Sequence, residues 1–121
     1  MANDNTSEAG RHAEQLAARF LEKRALVVLD RNYRCKAGEI DLVCKDGAVL
    51  VFVEVRFRQN GAFGGAAASI TRAKQRKVIR AAQHYLAAKQ KTRAACRFDC
   101  IVLDALDENS IEWIRDAFSV G

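Results

Sequence analysis

The hydrophobic positions change period along the chain, and each change marks a boundary between elements. Ala13, Leu16, Ala17, Phe20 and Leu21 recur at helical spacing and predict a first helix. Thr6 or Ser7 can cap it, and Glu8 in its first turn suits the helix dipole. Ala25 to Leu29 reads as a short aliphatic strand, followed by a polar, basic segment from Asp30 to Ala37 with Arg31, Arg34 and Lys36 around Tyr33. From Gly38 to Arg58 two strand-like runs flank Asp46-Gly47. That dipeptide predicts a tight hairpin, because a type I′ turn needs positive φ at both central residues. Gln59 to Gly65 is a loop with Gly61, Gly64 and Gly65, without the spacing of a phosphate-binding loop. Ser69 can cap a second helix reaching about Lys89, with Ile70, Val78, Ala81, Ala82 and Tyr85 as its buried stripe. A basic turn from Lys89 to Ala95, a strand from Cys96 to Leu103, a turn at Asn109-Ser110 and a strand from Ile111 to Ile114 complete the chain. Leu106, Trp113 and Phe118 are assigned to core or edge packing. The order α-β-β-β-α-β-β predicts an α/β domain over residues 1–121, a mixed sheet with helices packed on it.

The hairpin brings chemistry with it. With Asp46-Gly47 as the two-residue loop, Lys45 pairs with Ala48, Glu39 faces Glu54, and Asp41 faces Phe52. Side chains alternate faces along a strand, so Glu39, Asp41, Glu54 and Arg56 emerge on one side. Asp41 and Glu54 are then diagonal neighbours, roughly 7–8 Å apart at the backbone. Like charges this close repel, and a hard divalent cation such as Mg²⁺ or Mn²⁺ would repair the repulsion while keeping most of its waters. The competing reading is a solvated strand face whose acids pair with nearby arginines.

Composition sharpens the picture. The net charge of +5 is unevenly spread: Met1 to Phe98 holds 19 Lys/Arg against 9 Asp/Glu, whereas Asp99 to Gly121 holds six acids and only Arg115. Between Glu54 and Asp99 there are eleven bases and no carboxylate. A base-rich stretch directly after an acidic cluster suits a polyanion lying across the site. Cys35, Cys44, Cys96 and Cys100 lack the spacing of a zinc set and are expected as free thiols in a reducing cytoplasm. No secretory signal or membrane span is expected, because Met1 to Glu8 is polar and no apolar run is long enough.

The helices add candidates. Glu14 lies at the edge of the first apolar stripe, either as a surface acid or as a carboxylate leaning over the sheet. Lys74 falls within the second stripe, where its stem can follow the sheet while the ammonium reaches the acids. Gln75 borders the same stripe. Arg72, Arg76 and Arg80 recur every fourth residue on the opposite side and, with Lys77 and the strand residue Arg58, suit a phosphate backbone. His12 is expected in solvent without a role.

Glu39-Ile40-Asp41 followed by Val53-Glu54-Val55-Arg56 resembles the PD-(D/E)XK nuclease superfamily, and more closely the small bacterial YraN-type family. Gly10…Glu14, Arg31-Asn32-Tyr33-Arg34, Phe63-Gly64, Ser69-Ile70-Thr71, Lys74-Gln75 and Arg97-Phe98-Asp99 extend the resemblance over nearly the whole chain. It implies a restriction-endonuclease-like core related to archaeal Holliday-junction resolvases. Asp41 and Glu54 match metal-binding carboxylates, and Glu14 the acid contributed by the first helix. Arg56 stands where the superfamily carries a catalytic lysine. Arginine stays charged and cannot act as a base, but it can stabilise charge on a phosphate, and Lys74 can supply an ammonium from another element.

The resulting expectation is Mg²⁺- or Mn²⁺-dependent hydrolysis of DNA phosphodiesters, selective for structure such as junctions, flaps or single strands in repair and recombination. Asp41, Glu54 and Glu14 hold the metal, Arg56 and Lys74 work on the transition state, and Glu39 and Gln75 support them. A two-fold homodimer would help an enzyme that cuts paired strands. Two alternatives keep less chemistry: a nucleic-acid-binding module with a degenerate site, or a scaffold docking a partner through its acidic C-terminal segment.

Overall fold

The computed structural model describes residues 7–58 and 70–120. Its elements are α1 (Glu8–Glu22), β1 (Val27–Cys35), β2 (Gly38–Asp46), β3 (Val49–Phe57), α2 (Arg72–Ala88), β4 (Cys96–Leu103) and β5 (Ile111–Phe118), with a short 3₁₀ turn at Glu108–Ser110. The strands form one mixed sheet in the order β1-β2-β3-β4-β5. All neighbours run antiparallel except β3 and β4, which are parallel because α2 lies in the crossover between them. No helix among the described residues is long and apolar enough to cross a membrane.

Each helix starts at a hydroxyl cap. Ser7 Oγ accepts from the Gly10 amide, and Thr71 Oγ1 accepts from the Lys74 amide, one turn into each helix. Thr71 therefore takes the capping role expected of Ser69; Ser69, Thr6 and the Gly61–Gly65 loop lie outside the described residues. The periodic apolar stripes bury as expected, Leu16, Ala17, Phe20 and Leu21 on α1 and Val78, Ala81, Ala82 and Tyr85 on α2.

The two helices cover opposite faces of the sheet. Leu42, Cys44, Val51, Val53, Ile101 and Leu103 pack with α1, while Val43, Leu50, Phe52 and Phe98 pack with α2. Alternation along β2 and β3 thus sends successive side chains into two separate cores, which is why these strands read as nearly continuous apolar runs.

Three boundaries differ from the sequence expectation. First, β1 does not stop at Leu29 but runs on through the polar segment to Cys35. Its outer part is tied down by tertiary contacts: Tyr85 Oη donates to Asp30 Oδ2 at 2.7 Å, and Tyr33 bonds His84. Second, β5 continues past Ile114 to Phe118, whose ring stacks on Phe98 with centroids 5.1 Å apart. Leu106 is exposed, whereas Trp113 packs edge-on to Phe20.

Third, the hairpin loop is Gly47-Ala48, not Asp46-Gly47. Asp46 pairs with Val49 and Lys45 with Leu50. Gly47 takes φ of +59° while Ala48 keeps an ordinary negative φ, the pattern of a type II′ turn, which needs positive φ only at its first central residue. Asp46 is thereby freed from the turn, and its carboxylate meets the Arg97 guanidinium at 3.0 Å. A two-residue register change leaves the faces of the paired residues Leu42–Asp46 and Val49–Val53 as predicted and changes their partners.

Asp99 fastens the far side of the sheet. It is fully buried on β4 and receives hydrogen bonds from Arg97 Nε (3.0 Å), Trp113 Nε1 (2.9 Å) and the Asp116 amide (2.9 Å). Removing the carboxylate leaves the Trp113 indole and the Asp116 amide without an acceptor and leaves Arg97 with Asp46 alone. Asp99→Ala is expected to cost about 3–5 kcal/mol of unfolding free energy, measured by urea denaturation.

Candidate functional site

Strand β3 delivers Glu54 into the α2 side of the sheet, one alternation after Phe52 and before Arg56. Glu54 is among the most buried side chains in the protein, 2 % exposed, and Asp41 on the adjoining strand is 3 % exposed. The observed ladder between β2 and β3 ends at Leu42 and Val53. Asp41 and Glu54 lie just past its end, and Glu39 no longer faces Glu54. Glu39 pairs instead with Arg34 on β1, Nε to Oε2 at 3.3 Å, so the expected Glu39–Glu54 opposition does not occur.

Asp41 also ends the regular ladder itself. The Val55 amide donates to Asp41 Oδ2 at 2.8 Å, a side chain taking the place of a backbone carbonyl. Around it the alternation of β2 slips, since Ile40 and Val43 both pack with α2 while Leu42 and Cys44 pack with α1. Asp41 sits at this slip, where its charge acts on acids from both sides of the sheet. Burial, then the Asp41 charge, raise the Glu54 pKa well above the ordinary carboxylate value, opposed by Lys74 and Arg56. The same two causes push Glu14 up to about 7, opposed by a hydrogen bond from Asn32 and by Arg31.

Lys74 reaches the site as its place on the helical stripe predicts. Its Nζ lies 3.6 Å from Glu54 Oε1, and the side chain remains partly exposed. Glu54 Oε2 is buried with no hydrogen-bond partner. An orphaned, deeply buried carboxylate oxygen beside a second acid is the surrounding expected of a cation ligand. Two hard oxygen donors suit Mg²⁺ or Mn²⁺, which complete their shells with water or phosphate oxygens. The residues therefore fit the expected metal. Among the described residues, no three Asp, Glu, His or Cys side chains converge closely enough to hold a metal ion, so Glu14 stands apart from the Asp41–Glu54 pair.

Glu14 belongs to different surroundings. It is 5 % exposed on α1, and with Arg11, Gln15, Arg31 and Asn32 it lines a cavity of about 300 Å³. Asn32 lies on β1 in the register position opposite Asp41 and holds φ of +53°. Asparagine tolerates this left-handed conformation better than other non-glycine residues. Asn32 has no role in the sequence expectation beyond its place in the Arg31-Asn32-Tyr33-Arg34 segment. No signal in the sequence marked it, because the polar segment around it did not read as a strand.

Further out, Arg72, Arg76, Lys77 and Arg80 are exposed along α2. Gln75 donates through Nε2 to the Ile70 carbonyl and so secures the approach to α2. Arg58 pairs with Asp104 at 2.9 Å, and Lys23 pairs with Glu108 at 2.9 Å. With Asp99 buried and Asp107 Oδ1 accepting from the Asn109 amide, four of the six C-terminal acids are already engaged within the chain.

The raised acids predict an inverted pH dependence. A carboxyl whose folded pKa exceeds its unfolded value contributes stability below the unfolded value, and that contribution is lost as pH rises through the folded one. For Glu14 the window runs from 4.5 to about 7. Metal-free protein should lose stability across it, by up to on the order of 3 kcal/mol from Glu14. Glu14→Gln should flatten that slope, and Glu54→Gln should raise the metal-free Tm at pH 8, both read by thermal denaturation in EDTA. A steeper slope in either variant would contradict the assignment.

Comparison with known proteins places the chain among close relatives. Residues 13–103 match the family described as "Uncharacterised protein family UPF0102". A UPF0102 protein of Dechloromonas aromatica is 53% identical over 118 residues, covering 98% of this chain and 94% of that protein. A UPF0102 protein of Methylobacillus flagellatus is 56% identical over 112 residues, covering 93% and 97%. The matched span runs from the buried face of α1 through Asp41, Glu54 and Lys74 to the end of β4, and on this ground the chain belongs to the UPF0102, or YraN-like, family.

Proposed function

We propose that this protein is a divalent-metal-dependent endonuclease of the PD-(D/E)XK type, acting on DNA phosphodiesters. One observation carries the reading: Glu54 is buried against Asp41 with an oxygen left unpartnered, beside Lys74 and Arg56. A structural carboxylate would be satisfied as Asp99 is. The mixed sheet between two helices, with the acids on adjoining central strands and Glu14 on α1, supports the same superfamily.

Asp41 and Glu54 would hold the metal, which when bound polarises the scissile phosphate and acidifies an attacking water. Lys74, the ammonium nearest the pair, orients that water and offsets negative charge as it builds on the phosphate. Arg56 adds fixed positive charge; it cannot take a proton. Arg72, Arg76, Lys77 and Arg80 contact backbone phosphates along α2. Contacts of this kind carry no base identity, so selectivity follows the shape of the nucleic acid, as at junctions, flaps or single-stranded regions encountered in repair and recombination. A homodimer would present two sites to two strands.

A second reading, binding without cleavage, draws on one residue, Arg56 at the position of the superfamily lysine. The scaffold alternative is weakened by the internal engagement of Asp99, Asp104 and Glu108.

With Mn²⁺ and both branched and linear DNA, wild type should cleave, and Asp41→Ala and Glu54→Ala should lose cleavage while keeping DNA affinity. Lys74→Ala should lower the single-turnover rate by about 100-fold or more. Carboxylate-independent DNA binding with no cleavage by wild type would favour the binding-only reading. Arg76→Ala should reduce the slope of log affinity against log salt by about one, whatever the sequence bound.

A further inference from the structure

A notch lies where the first turns of α2 meet the end of β5. Arg72, Gln75, Arg76 and Ile79 line it from the helix, and Ser119 and Val120 line it from just past the strand, around a volume of about 190 Å³. Both walls are fixed in place. Gln75 Nε2 binds the Ile70 carbonyl at 3.2 Å, and Phe118, the last residue of β5, stacks on Phe98 in the core. The notch shares no residue with the Asp41–Glu54 pair, although Gln75 directly follows Lys74 in α2.

Its positive charge is unopposed. Arg34, Arg58, Arg97 and Arg115 are each held by a carboxylate. Among the described residues Arg72 and Arg76 have no hydrogen-bond or ion-pair partner, and no acid lines the notch. The cause is local. No carboxylate occurs between Glu54 and Asp99, so α2 offers its arginines no acid three or four residues away. A cation would be repelled here, and an anion completes the site.

The donors narrow which anion. Two guanidinium forks and the Ser119 hydroxyl make three donor groups around one space. A carboxylate or an internal phosphodiester presents two free oxygens. A phosphomonoester presents three, and its charge of about −1.5 to −2 at neutral pH balances two guanidiniums. Ile79 and Val120 add apolar surface against which the carbons of the ester can rest.

We infer that this notch seats a phosphomonoester, either the terminal phosphate of a nucleic-acid strand or the phosphate of a free nucleotide. Arg72 and Arg76 grip it, and Ser119 donates to the third oxygen. Arg80, one turn further along α2, does not line the notch and meets only the strand that follows. Strand ends are then held better than strand interiors. The strand end as source rests on the nucleic-acid reading above; recognition of the phosphomonoester does not.

The test uses the full chain in EDTA, so that metal binding and cleavage play no part. Methyl phosphate, dimethyl phosphate and acetate are titrated at matched ionic strength while the arginine Nε–H signals are followed by NMR. Methyl phosphate should shift the Arg72 and Arg76 signals saturably, at concentrations at least about tenfold below those needed for dimethyl phosphate, for acetate, or for any response at Arg80. Arg72→Gln and Arg76→Gln, both at exposed positions, should each weaken methyl phosphate about tenfold, and Ser119→Ala should weaken it less. A second arm measures the affinity of one oligothymidylate with a 5′-phosphate, a 3′-phosphate or neither. A gain from a terminal phosphate that Arg72→Gln removes assigns the notch to strand ends. Methyl phosphate binding without that gain assigns it to a free nucleotide. Dimethyl phosphate binding as tightly as methyl phosphate, Arg80 responding in step with Arg72 and Arg76, or affinity unchanged in both arginine variants overturns the inference. None of these results bears on cleavage at Asp41 and Glu54.

Discussion

Two carboxylates buried against each other on the central strands are the constraint around which the rest of this structure is arranged. β2 and β3 are covered on both faces, so Asp41 and Glu54 are largely withdrawn from the water that would screen their repulsion. The fold answers only in part. The Val55 amide binds Asp41, and Lys74 reaches Glu54 from α2, but its ammonium is 3.6 Å away and its side chain half open to solvent. Glu54 is left with raised proton affinity and an unsatisfied oxygen. Burying such a pair costs stability, as the raised proton affinity of Glu54 records.

Asp99 supplies the internal contrast. It is as deeply buried as Glu54 and carries the same kind of charge, yet donors from Arg97, Trp113 and the Asp116 backbone close around it. One carboxylate is built into the scaffold; the other is left open. The charge asymmetry of the chain resolves along the same line. Acids of the C-terminal segment are spent on Arg58 and Lys23, while the arginines of α2 stay exposed.

The first-helix acid turned out to be tied to a different neighbourhood. Glu14 feels the charge of Asp41, but its hydrogen bond comes from Asn32 on the edge strand, and its cavity is rimmed by arginines. What looked in one dimension like three acids around one point is a pair and a neighbour, joined through Asp41 at the place where β2 loses its alternation.

Periodicity by itself determined the element order, the buried stripes of both helices, the shared face of Glu54 and Arg56, and the reach of Lys74 from within the apolar stripe of α2. Each follows from spacing of 3.6 or 2 residues, which local geometry enforces wherever the element forms. Tertiary structure decided the rest. The turn moved to Gly47-Ala48 because Gly47 could take the single positive φ of a type II′ turn and Asp46 could then pair with Arg97. β1 extended through a polar segment because Tyr85 and His84 on α2 hold Asp30 and Tyr33. Register, strand ends and the pairing of Glu39 with Arg34 depend on partners far away in the chain, and a pattern of single residues carries no record of which distant partner wins.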